Sequence, residues 1–74
     1  MVDKPDLKKQ KEFGKAFREA RIKLGLTQEQ VAEMTGVTVT TYAQAERGKA
    51  NLTLKNLNSI VMALKIDPAT LPFS

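Results

Sequence analysis

The chain has 74 residues, a net charge of +4, and neither cysteine nor histidine. A chain this short makes one small domain that buries only about 60% of the surface its unfolded form exposes. Its composition excludes a disulfide staple and the thiolate and imidazole ligands of ordinary zinc sites, so no metal or cofactor is expected and stability must come from apolar packing.

All of the net charge lies at the start: residues 1–25 hold eight basic and four acidic side chains, and the other 49 residues hold four of each. Residues 1–12, "MVDKPDLKKQKE", read as a basic extension without the apolar core of a signal peptide, and the folded domain is assigned to 13–74. A first helix is expected over 8–24, with Phe13, Phe17, Ala20 and Leu24 spaced i, i+4, i+7, i+11 on one face. On its solvent side Lys8/Glu12, Lys15/Glu19 and Glu19/Lys23 are spaced to pair, while the same cations also suit a phosphate-attracting arm. Gly14 interrupts this helix at a cost of roughly 1 kcal/mol relative to Ala, unless another backbone approaches closely there.

Further along, Gly25, Gly36 and Gly48 fall where periodic segments stop. The starts carry more information. An apolar residue, a cap, three residues and a second apolar residue recur at Leu26-Thr27/Val31, Val37-Thr38/Tyr42, Leu52-Thr53/Leu57 and Ile66-Asp67/Leu71. Gln30 completes a capping box after Thr27, and Pro68 sits at a first helical position. The stretch "GVTVTTYAQAERG" has strand-like residues in its first half. With Thr38 as a cap and Val37 stapled to Tyr42, it reads instead as a short helix over 39–47. Helices are thus expected at 8–24, 28–35, 39–47 and 54–64, with a last turn near 68–72. Leu57, Ile60, Val61, Leu64 and Ile66 supply the core from the fourth onward. The run "SIVMALKI" is too short to span a bilayer, so a cytoplasmic protein without a membrane partner is expected.

The second and third helices are short and meet at "TGVT", the pattern of a helix-turn-helix. "RIKLGLTQEQVAEMTGVT" followed by "AERGK" resembles the DNA-binding domain of lambda-repressor-like, XRE-family regulators, over roughly Phe13 to Leu71. The resemblance implies an all-α, five-helix fold. It also implies that Gln28 contacts a DNA phosphate and that Arg21 pairs with Glu46. Two positions depart from the family pattern: Thr35 is usually apolar there, and Tyr42 is usually Ile or Val. Met34 and the Tyr42 ring are expected to refill the volume.

With Tyr42 and Ala45 inward, Thr40, Ala43, Gln44 and Arg47 point outward at i, i+3, i+4, i+7, flanked by Val39 and Thr41. Gln44 is the strongest candidate base reader, since Gln can pair with adenine N6 and N7, and Val39 suits a thymine methyl. Val39, Thr40 and Gln44 form the candidate base-reading set. Gln28, Thr38, Thr41, Arg47, Lys49 and Asn51 are the candidates for the DNA backbone. No Arg or Lys precedes Arg47 in this helix, so A·T-rich half-sites are expected. A homodimer on a two-fold operator is expected, with Met62, Leu71 and Phe73 as its candidate interface. Glu29 and Glu33 form an acidic face, either merely solvated or a contact for RNA polymerase. No catalytic constellation or phosphate loop is evident, so neither enzyme activity nor a small-molecule ligand is expected. The "ERGKANLTLKNL" run resembles restriction-modification controller proteins, small phage repressors being nearly as good a match. The rival is an antitoxin-type protein-interaction module that also binds its own promoter. Regulation by the protein's own concentration is the simplest expectation.

Overall fold

The computed structural model describes residues 7–71. Their elements are α1 (Leu7–Lys23), α2 (Gln28–Thr35), α3 (Val39–Glu46), α4 (Leu54–Ala63) and a single 3-10 turn, Pro68–Thr70. After α1, each start is the cap its sequence suggests. Thr27 accepts from the Gln30 N–H while the Gln30 side chain accepts from the Thr27 N–H, and Thr38, Thr53 and Asp67 accept from Thr41, Asn56 and Ala69. The fifth element stops short of a helix because Leu71 precedes Pro72, which disfavours helical backbone; Leu71 is extended at φ −90°, ψ 154°.

The ends of α1, α3 and α4 share one construction. At Gly25, Gly48 and Lys65 the chain turns left-handed. The residue after each donates back five positions: Leu26 to Arg21, Lys49 to Gln44, Ile66 to Val61. This turn ends α1 one residue earlier than its periodicity suggests, and Leu24 is 41% exposed and off the core face. The sequence carries no sign of the third turn, because Lys65 stands where glycine fits best, at φ 56°.

One core joins the four helices: Phe17 from α1, Val31 and Ala32 from α2, Tyr42 and Ala45 from α3, Ile60 and Val61 from α4, then Leu64 and Leu71. Val37 is buried with Tyr42, as the staple requires, while Leu57 and Ile66 pack at the margin. Phe13 is half-buried, its ring 6.1 Å from that of Phe17. Met34 does not refill the volume near Thr35, being 56% exposed. Thr35 is accommodated because its hydroxyl donates to the Val31 carbonyl at 2.8 Å.

Backbone contact fixes how α1 crosses the end of α3. A methyl group at Gly14 would lie 2.5 Å from the Glu46 carbonyl oxygen and 2.6 Å from that of Ala45. On the other side, one at Gly48 would lie 2.8 Å from Lys11 Cα. Lys11, within the expected basic extension, is therefore packed onto the domain.

Beside this crossing Arg21 grips Glu46: Nε donates to Oε2 at 2.6 Å and Nη2 to Oε1 at 3.1 Å, while Nη1 donates to the Leu26 carbonyl at 3.0 Å. Gln28 Nε2 donates to Glu46 Oε1 at 3.0 Å. The Glu46 side chain is 4% exposed and that of Arg21 15%. Burial pushes the Glu46 carboxyl up, but the hydrogen bonds it accepts from Arg21 and Gln28, with the Tyr42 phenol close by, more than offset this and hold it below the ordinary range. Its hydrogen bond to Glu46 holds the Arg21 guanidinium above its usual value. The spacing-based pairs along α1 are not closed: Lys15, Glu19 and Lys23 form no ion pair among the described residues.

Gly14→Ala is expected to lose about 1–3 kcal/mol of stability, because rigid carbonyls oppose the methyl more than helix propensity favours it; a gain in urea-unfolding midpoint would overturn the crossing. Lys65→Gly should gain about 1 kcal/mol in the same assay by relieving the left-handed backbone. Folding lowers the Glu46 carboxyl, so its contribution is complete above the unfolded value near about 4.3 and fades as pH falls through the folded one. Thermal unfolding between pH 6 and pH 3 should therefore destabilise the unsubstituted chain more steeply than Glu46→Gln. Equal losses would mean that another group carries the acid sensitivity.

Candidate nucleic-acid interface

Held by the core on one side and by Arg21 at its end, α3 turns a narrow face outward. Thr40, Gln44 and Arg47 are exposed and Ala43 half-buried, spaced i, i+3, i+4 and i+7, and Val39 beside them is 40% exposed. Tyr42 and Ala45 lie on the buried side. The strand-like threonines have specific tasks. Thr38 caps the helix, its oxygen accepting from the Thr41 N–H at 3.2 Å and its hydroxyl donating to Thr41 Oγ1 at 2.9 Å. Thr40 is free to face a ligand, and Thr41, half-buried, keeps its own hydroxyl proton for an outside acceptor.

Cationic and polar groups stand at both ends of this face. Thr38 opens it, and Arg47, Lys49 and Asn51, all exposed, close it at the turn after α3. Gln28, expected at a phosphate, is committed by one amide hydrogen to Glu46, which leaves the second for a ligand. Sequence reading missed this double role, because the partner lies 18 residues away.

Tyr42 supports the face from beneath. Its ring is fully buried, and its hydroxyl, although beside Glu46 and Arg21, makes no hydrogen bond. Burial, reinforced by the Glu46 carboxylate, pushes the phenol well above its ordinary value, so it stays neutral.

The expected dimer residues separate. Met62 on α4 is 78% exposed, with Leu54 at 72% on the same helix. Leu71 is 7% exposed and belongs to the core, which corrects its assignment to an interface: the Asp67 cap and the 3-10 turn direct it inward. Phe73 lies outside the described residues. Glu29 and Glu33 are both exposed on α2. Among the described residues no helix is long and apolar enough to cross a membrane.

Residues 17–71 match the helix-turn-helix family. No curated protein sequence is significantly similar to the chain. Among solved structures, the restriction-modification controller protein C.AhdI from Aeromonas hydrophila is similar, with 35% identity and a TM-score of 0.75 over 81% of this chain and 91% of that one. The helices, the turn between α2 and α3 and these matches place the chain in the XRE-type helix-turn-helix family of DNA-binding transcriptional regulators.

Proposed function

We propose that the chain binds a two-fold operator as a homodimer, each copy laying α3 in the major groove, and that it serves as a restriction-modification controller. The observation that carries this reading is the outward face of α3: short side chains around one amide, on a helix fixed by buried contacts. Val39, Thr40 and Ala43 allow close approach, and Gln44 is long enough to reach adenine N6 and N7. Thr38, Thr41, Gln28, Arg47, Lys49 and Asn51 take the flanking phosphates and set the register. The controller role is supported by the likeness to C.AhdI, whose own name describes it as such a controller.

One copy offers few contacts, which favours a dimer across α4, where Met62 and Leu54 leave apolar surface in water. Glu29 and Glu33, both exposed on α2, offer RNA polymerase an acidic surface. An antitoxin role would add a protein partner to the same DNA reading, and nothing in the described surface favours it.

Selection on random duplex DNA at fixed salt is expected to return inverted repeats, with A·T-rich half-sites centred about 34 Å apart or a multiple of it. Gln44→Ala should then cost about 1–3 kcal/mol on the selected site and relax preference at one base pair. A G-rich site tolerant of that substitution would overturn the assignment, and a site without two-fold symmetry would overturn the dimer.

A further inference from the structure

We propose that the outward face of α1 is a second phosphate-binding ridge, continuing the DNA interface beyond α3; the inference rests on the DNA-binding reading above. Lys11, Lys15, Arg18 and Ile22 recur at i, i+4, i+7 and i+11, so they share one stripe of the helix. They line a groove whose other wall is Glu46 and Arg47, at the end of the reading helix. The ridge and the candidate phosphate contacts of α3 thus border the same channel.

Charge in this groove is unbalanced. Glu46 is consumed by Arg21 and Gln28, its side chain 4% exposed, which leaves Glu19 as the other acid lining it. Lys11, Lys15, Arg18 and Arg47 are exposed, and none is in an ion pair among the described residues. Like charges three and four positions apart weaken a helix. The fold gains nothing from placing them so, whereas an anion would.

The dimensions select the anion. From Lys11 to Arg18 the helix rises about 10 Å, about three of the ~3.4 Å axial steps between phosphates of one DNA strand, so the three cations span one short stretch of backbone. Ile22, 56% exposed, ends the charged run. A backbone track explains this array better than a base contact, since Lys and Arg on a convex helix face meet phosphates without entering a groove.

The test is the salt dependence of binding to the selected operator and to unrelated duplex DNA. Variants are Lys11→Gln/Lys15→Gln/Arg18→Gln and, to spare the Lys11 packing on Gly48, Lys15→Gln/Arg18→Gln, each checked for native helicity. Lys65→Asn, beyond the end of α4, controls for lost net charge. The slope of log K against log salt should become shallower by about 0.9 for each ridge cation removed, equally on both DNAs, with Lys65→Asn near the unsubstituted chain. An unchanged slope alongside normal operator binding overturns the ridge alone, as does a loss confined to the operator. If the unsubstituted chain binds no duplex DNA, the ridge falls together with the reading on which it rests.

Discussion

The geometry of the reading surface depends on the crossing of α1 over the end of α3. An isolated helix of eight residues is not stable in water, and α3 begins with Val and two Thr, which favour other backbone states. Its conformation is imposed at three places: the Thr38 cap, the buried Tyr42 and Ala45, and the contact of its last carbonyls with Gly14. The third is the most demanding, because backbone against backbone leaves no side chain able to adjust. Gly48 completes it by turning left-handed under Lys11, so the loop bearing Lys49 and Asn51 leaves in a fixed direction.

The Arg21–Glu46 pair is better understood as a positioning device than as a source of net stability. Removing two charges from water costs several kcal/mol per ion, and mutual attraction offsets this only when every donor and acceptor is used. Here the guanidinium meets both carboxylate oxygens and the Leu26 carbonyl, and Gln28 supplies a further donor. The cluster ties α1, the turn after it, the start of α2 and the end of α3 to one carboxylate. The two helices of the helix-turn-helix thereby acquire a fixed relation to each other. The neighbouring Tyr42 hydroxyl, buried without a hydrogen bond, is a local cost of placing an aromatic ring where the family pattern has an aliphatic side chain.

What the sequence made legible was what neighbouring residues decide. Caps at Thr27, Thr38, Thr53 and Asp67, and glycine stops at Gly25, Gly36 and Gly48, are encoded within a few positions, and the structure has all of them. Arg21 and Glu46 came from the family resemblance, since no local rule joins residues 25 apart. Features set by distant or competing contacts stayed hidden. The left-handed Lys65 carries no glycine signal, Gln28 looks like any polar residue after a cap, and Leu71 looked available for a partner until the turn before it aimed it inward. Leu24 shows the limit of periodicity, which places a residue on a face but not before the helix ends.

On the proposed reading, the makeup of α3 dictates how binding energy is divided. Thr, Val and Ala lose little side-chain freedom when buried against DNA, yet they discriminate weakly among bases, and Gln44 is the one long amide on the face. Direct readout is therefore concentrated at one base pair per half-site and cannot supply the whole of the specificity. The remainder has to come from register, because a rigid helix anchored by phosphate contacts at both ends tolerates only duplexes whose groove width and backbone path match its own. A frame that spends two glycines and a buried ion pair on rigidity is what such a division requires. A looser α3 would keep the same contacts but lose the penalty that wrongly shaped DNA must meet.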